Sequence, residues 1–241
     1  MFTSLESICS MQTSDLKYYV LTMDENSPRA NHIRNQLNDY DFEFVTPLAC
    51  KNKQKSGSSG HMRIVYQAIQ NFKPFVILED DVSFLYSKKQ IDIPSNTDWL
   101  YLGISSCAYD SKYEKWQPHN QLFIDDVDDS VVKIYNMLST HAIMIYSLKG
   151  ALLYYSMMLE NVLTNAIAWD ISLTRMQPYI NCYALREPMF YQDEKFGGSF
   201  LETKICIKDK KISSLFTNTS KNYYPYNNFE IKSNTKELLG L

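Results

Sequence analysis

Phe75-Val76-Ile77-Leu78-Glu79-Asp80-Asp81-Val82 joins four apolar residues to three consecutive carboxylates, with a further apolar residue after them. The two halves want opposite environments. Phe-Val-Ile-Leu suits a strand buried on both faces. Three adjacent anions repel one another and cannot be buried unpaired. The tract therefore predicts a strand that ends at an open site, where a divalent cation and its ligand neutralise the acids. In an open α/β sheet, the carboxyl ends of the strands are where ligands bind.

The flanking sequence supplies the rest of such a sheet. Lys17–Thr22 (K-Y-Y-V-L-T) reads as a strand. Ser27-Pro28 then gives an N-cap followed by proline at the first helical position. Ala30, Ile33, Leu37 and Tyr40 share one helical face, and Phe42 and Phe44 alternate in a short strand that ends before Pro47. Strand–helix–strand is the opening of a parallel α/β sheet. Residues 51–60 (K-N-K-Q-K-S-G-S-S-G) read as a polar, flexible loop. A helix over 62–72 follows, with Val65, Ala68, Ile69 and Phe72 as its stripe, stopped by Lys73-Pro74. Beyond the acidic tract, 98–103, 131–137 and 142–146 are predicted strands, and 106–130 reads as polar and loop-like. Helices are expected over about 148–159 and 166–176, and short strands over 179–184 and 188–192. Residues 1–16 read as a loose lead-in, and 201–241 as a C-terminal tail or lid.

A chain of 241 residues accommodates one large domain, or one domain with an appendage. A hydrophobic content of 45% and a net charge of −3 are ordinary for a globular protein and leave no electrostatic footprint for nucleic acid. The five cysteines are odd in number, far apart and form no C-x-x-C pair. That argues against a disulfide framework or a zinc site and for a reducing compartment. Met1–Lys17 lacks the apolar core of a signal peptide. The most apolar stretch, Ala142–Leu159, is interrupted by Lys149-Gly150, so no transmembrane segment is expected. A cytoplasmic location is expected.

Mn²⁺ and Mg²⁺ prefer hard oxygen ligands and bind through one or two carboxylates plus substrate phosphates. Glu79-Asp80-Asp81 offers that arrangement, and a cation there would hold a diphosphate. The competing explanation is a surface turn whose acids cap the next helix. A rival acidic run, Asp125-Asp126-Val127-Asp128-Asp129, contains a literal Asp-x-Asp but sits in the most polar region, where a solvated hairpin is expected. His61 and His141 are either structural or neutral ligands to a diphosphate or metal. Arg29 and Arg34 either meet a nucleotide phosphate or cover the wet face of their helix. Trp116 and Trp169 either stack on a sugar or belong to the core.

The tract Leu78-Glu79-Asp80-Asp81-Val82 resembles the L-E-D-D-V segment of glycosyltransferase family 25, which includes lipooligosaccharide and collagen galactosyltransferases. The likeness extends in order along the chain. Tyr18–Asp24 with Arg29 and Arg34 is similar to the family's opening strand and first helix. Gly57–His61 is similar to its glycine- and Ser-His-containing segment, with Gly60 where serine is usual. Trp99–Gly103 resembles its W-x-x-L-Y-L-G strand. Thr140-His141-Ala142 with Ser147–Ala151 resembles its T-x-A-Y-x-I-S-x-x-G-A segment. Ala168-Trp169-Asp170 resembles its P-x-D site, and Gln192-Asp193 its Q-D.

The resemblance implies a single GT-A-type, Rossmann-like α/β domain over 17–200, with a central mixed sheet and helices on both faces. It implies metal-dependent transfer of a hexose from a UDP-sugar, UDP-galactose or UDP-glucose first, to a glycan or glycosylated acceptor with inversion. Asp81 and Glu79 would bind Mn²⁺ or Mg²⁺. Glu79, Asp80, Arg29, His61 and Gln192 would bind the donor, and Thr22 and Met23 would lie under its uracil. Asp170 would be the base, or an acceptor-binding acid. Two other classes stay open: a metal-dependent phosphodiesterase or nucleotide hydrolase, and a non-catalytic nucleotide-sugar-binding module.

Overall fold

Phe75–Glu79 is a strand, and its neighbours explain why four apolar residues can run together. In a computed structural model describing residues 7–105, 107–110, 115–118, 122–164, 168–196 and 218–219, this strand lies well inside a nine-stranded sheet. In chain order, the elements are β1 (Ile8–Gln12), β2 (Lys17–Leu21), α1 (Pro28–Gln36), β3 (Asp41–Val45), α2 (Lys53–Ile69), β4 (Phe75–Glu79), β5 (Val82–Phe84), β6 (Gln90–Pro94) and β7 (Trp99–Tyr101). Then come β8 (Cys107–Asp110), β9 (Lys115–Pro118), β10 (Phe123–Asp126), β11 (Val131–Ile134), β12 (Ala142–Ile145), α3 (Leu148–Leu163), α4 (Trp169–Met176), β13 (Cys182–Leu185), β14 (Phe190–Gln192) and β15 (Asn218–Thr219).

The sheet order is β15-β10-β11-β13-β7-β12-β4-β2-β3. β2 pairs in parallel with both β3 and β4, while β12 runs antiparallel to both β4 and β7. The sheet is thus mixed, and the fold is α/β. Side chains alternate across β4. Phe75 and Ile77 join a core under α2, α3 and α4, whereas Val76 and Leu78 join a second core under α1 and β6. Helices therefore cover both faces, as the sequence predicts.

α1 starts where Ser27-Pro28 places it, with the Ser27 hydroxyl accepting the Ala30 N–H at 3.1 Å. The expected loop over 51–60 is instead the first half of α2. Asn52 caps it, accepting from the Gln54 N–H at 2.9 Å, and Ser56–Gly60 are buried. The glycines and serines are there for close approach. A Cβ on Gly57 would lie 2.5 Å from the Trp169 ring, and one on Gly60 would run into Leu21. The loose lead-in is also corrected over 8–12, where β1 pairs antiparallel with β6. Its partner lies some eighty residues further on, beyond the reach of local pattern. The stretch 106–130 holds three strands: β8 and β9 pair as a hairpin, and β10 joins the main sheet. The tail expected from 201 lies outside the described residues, apart from Asn218–Thr219, which pair with β10. No helix among the described residues is long and apolar enough to cross a membrane.

Candidate functional site

The order β3-β2-β4 creates a switch point. The chain leaves β2 toward one side and returns to β4 on the other, so the carboxyl ends of β2 and β4 open together. Thr22 follows β2 and Glu79 ends β4. The acids at the end of β4 do not share one environment.

Asp80 faces α1. Its Oδ2 accepts the Thr22 hydroxyl at 2.6 Å, and its Oδ1 accepts Arg29 Nη1 at 3.1 Å. Arg29 also lies 3.8 Å from Asp81 and donates through Nη2 to the Phe196 carbonyl. Asp81 is held less completely. Its Oδ1 is buried and has no hydrogen-bond partner among the described residues. Burial and the Asp80 charge push its carboxyl up, while Arg29 and a hydrogen bond from Gln192 pull it back, and the net direction is upward.

Glu79 faces the opposite side of the sheet. Its Oε1 accepts the Thr140 hydroxyl at 2.6 Å and lies 3.9 Å from His61 Nε2. Burial first, then the charge of Asp81, push its carboxyl up to about 8, with smaller pushes from Asp170 and Asp80. Glu79 thus feels three other carboxylates, while the guanidinium of Arg29 reaches only Asp80 and Asp81. The two nearby histidines supply no charge, because burial lowers His61 and His141 to about 4.

Beside Glu79 a cleft of about 320 Å³ opens, walled by Thr140, His141, Trp169, Asp170 and Gln192. Asp170 sits in the first turn of α4, its Oδ1 accepting the Ile171 N–H at 2.9 Å. Burial raises its carboxyl, and the backbone hydrogen bonds offset this in part. His141 Nδ1 pairs with the Ser139 hydroxyl at 3.0 Å. His61 is fully buried behind Glu79, with its Nδ1 paired to the Tyr154 hydroxyl at 3.0 Å.

The fold therefore brings Glu79, Asp170, Gln192 and His141 to one cleft. Thr22, Arg29, Asp80 and Asp81 gather beside it and do not line it. Met23 is 67% exposed at the rim of β2. Arg34 turns away, pairing with Asn31 and lying over Phe44. No group of three or more His, Cys, Asp or Glu among the described residues converges as a metal cage. The rival acids belong to a hairpin between β10 and β11, where Asp126 pairs with Arg186 and Asp128 closes the turn on Ser130 and Val131.

Two contacts escaped the sequence reasoning. Thr140 bridges Glu79 to Trp169, whose Nε1–H donates to the Thr140 hydroxyl at 3.0 Å. The available signal was positional: Thr140 lies two residues before an apolar strand, and that strand lies beside β4.

No protein-family model and no curated protein matches the chain. Solved structures similar to it include A197 from STIV, at TM-score 0.39 and 11% identity, covering 70% of this chain and 81% of that one. Another is a glycosyltransferase involved in the glycosylation of the major capsid of PBCV-1, at TM-score 0.37 and 12% identity, covering 59% of this chain and 66% of that one. Likenesses this slight carry no chemistry across, so the site rests on its own side chains.

Proposed function

We propose that the chain is a metal-dependent glycosyltransferase that takes a nucleotide diphosphate-sugar at the end of β4 and passes the sugar to a hydroxyl of a glycan or glycosylated acceptor. One observation carries this reading: buried carboxylates at the switch point that their protein partners only partly compensate. Asp81 Oδ1 has no partner among the described residues, and Glu79 is pushed to about 8. Such oxygens fit Mn²⁺ or Mg²⁺, held by Asp81 and Glu79 with Gln192 beside them. A bound cation would supply electrostatic stabilisation of the departing diphosphate. The chain does the rest. Arg29 offers a fixed positive charge, and Thr22 and Met23, just past the end of β2, would lie under the nucleoside. Asp170, with its affinity for protons raised by burial, takes the acceptor hydroxyl proton as that oxygen attacks the anomeric carbon and the carbon–diphosphate bond breaks. The family resemblance of the Leu78–Val82 tract adds UDP as carrier, galactose or glucose as sugar, and inversion.

The test is thermal unfolding with UDP, with and without Mn²⁺. At a hundredfold excess over Kd, a shift of about 5–10 °C is expected, and only with Mn²⁺ present. No Mn²⁺-dependent shift refutes the reading. Products of UDP-galactose and UDP-glucose then assign the class. UDP plus free hexose is the transferase outcome. UMP plus hexose 1-phosphate is that of a phosphodiesterase. Binding without either product is that of a binding module. Asp170→Asn should keep the UDP shift and lose at least about 100-fold in turnover.

A further inference from the structure

We infer that Thr140 is a positioning residue, a one-hydroxyl relay that fixes which oxygen of Glu79 works and ties that acid to the helix carrying Asp170. The inference rests on the proposed function for its ligand, but its geometry stands alone. A threonine hydroxyl has one proton to give and lone pairs to accept with. Here Trp169 Nε1 can only donate, so toward the indole the hydroxyl accepts, at 3.0 Å. Its proton is then committed to Glu79 Oε1, at 2.6 Å. A single orientation satisfies both contacts. The hydroxyl is nearly out of solvent, with Thr140 only 7% exposed, so water is a poor substitute.

Three consequences follow. Glu79 Oε1 is fixed as an acceptor, with His61 Nε2 on the same side at 3.9 Å. Oε2 is left as the oxygen free to meet a ligand. And the indole of Trp169, the residue before Asp170, is pinned by a hydrogen bond at one edge and by Gly57 against its ring. α4 starts at Trp169, so this contact sets where Asp170 stands. The relay also joins segments distant in sequence: the end of β4, the approach to β12, and the start of α4.

The roles of the two partners differ, and the experiment uses the difference. Thr140→Val keeps the shape and removes the hydroxyl. Mn²⁺-dependent UDP binding, read by calorimetry, should weaken about 10-fold or more, the scale of a lost hydrogen bond to a charged group. Thr140→Ser restores the hydroxyl and should return Kd to within about twofold of the original. Trp169→Phe removes the indole N–H along with part of the ring, and leaves the Thr140 proton directed at Glu79. It should hold UDP Kd within about twofold while slowing UDP release from the UDP-sugar at least about fivefold, through misplacement of Asp170. Unchanged binding in Thr140→Val overturns the relay, as does a folded Thr140→Ser no better than valine. If Thr140→Val does not fold, unchanged turnover in Trp169→Phe overturns it. Should the unaltered protein fail to bind UDP with Mn²⁺, the proposed function fails instead, and the two failures are told apart.

Discussion

Replacing Glu79 with glutamine should stabilise the protein in alkaline but not in acidic solution. Burial and the charges of Asp81, Asp170 and Asp80 lift the Glu79 carboxyl from 4.5 to about 8 in the folded chain. Below pH 4.5 both folded and unfolded chains hold the proton, and the group contributes nothing to the balance. Between 4.5 and 8 the unfolded chain has released its proton while the folded one retains it, so stability falls as pH rises. Above 8 both are ionised and the penalty is complete. A raised carboxyl works in the opposite sense to the familiar salt-bridged one.

The full lift corresponds to at most about 5 kcal/mol. The Glu79 side chain is 19% exposed, so water screens part of it. About 2–3 kcal/mol is the reasonable expectation. Glutamine keeps an oxygen able to accept from Thr140 and adds no volume, so the hydrogen bond that Oε1 makes survives. Urea unfolding at pH 5 and pH 8.5, in chelator, measures both proteins. The variant should exceed the original by no more than about 1 kcal/mol at pH 5 and by about 2–3 kcal/mol at pH 8.5. Asp81 and Asp170 are also raised, so part of the gain comes through relief of their repulsion. A difference between the two proteins that does not change with pH would refute the account of Glu79 as a buried acid strained by its neighbours.

Gly57→Ala should destabilise the chain by about 1–2 kcal/mol despite alanine's better helix propensity, because the new Cβ meets a Trp169 ring held in place at its far edge; near-ultraviolet dichroism of the tryptophans should change with it. Asp98→Ala should cost about 2–4 kcal/mol in urea unfolding. Asp98 is buried, accepts the Ser147 hydroxyl at 2.6 Å and the Asn181 N–H at 3.1 Å, and lies 3.6 Å from Lys149, so its loss strands the cap of α3.

What the sequence disclosed and what it hid divide along a physical line. Ser27-Pro28 and the Phe75–Leu78 run act on their own neighbours, and each produced its element where expected. Ser56–Gly60 failed because glycine and serine carry two meanings. Locally they loosen a chain, but where another element must come close they are the residues that fit. Only Trp169, more than a hundred positions away, tells which meaning applies. β1 was hidden for the same reason, since a short strand with a distant partner has little local signature. At the site, the acids stood out because three adjacent charges after an apolar run are improbable as decoration. Thr140 did not, because a hydroxyl announces nothing until its partners are known.

The separate duties of Glu79, Asp80 and Asp81 follow from the pleat. Successive residues of a strand face opposite ways. Phe75 and Ile77 point to the core under α2, α3 and α4, so Glu79, two further on, points there too and meets Thr140 and His61. Val76 and Leu78 point to the core under α1, so Asp80 points there and meets Arg29 and Thr22. Asp80 is thereby bound into the frame: it joins the ends of β2 and β4 to α1, and both its oxygens are occupied. Asp80 is the first residue past the strand and keeps the direction of the pleat, whereas Asp81 lies one residue further, beyond its reach, and has an oxygen to spare. An adjacent triplet that looked like a single charged patch is therefore one structural acid between two that remain available. Of the three, Glu79 and Asp81 would be the residues to hold a cation if one binds here. Replacing Asp80 should loosen the loop after β2 before it alters any ligand.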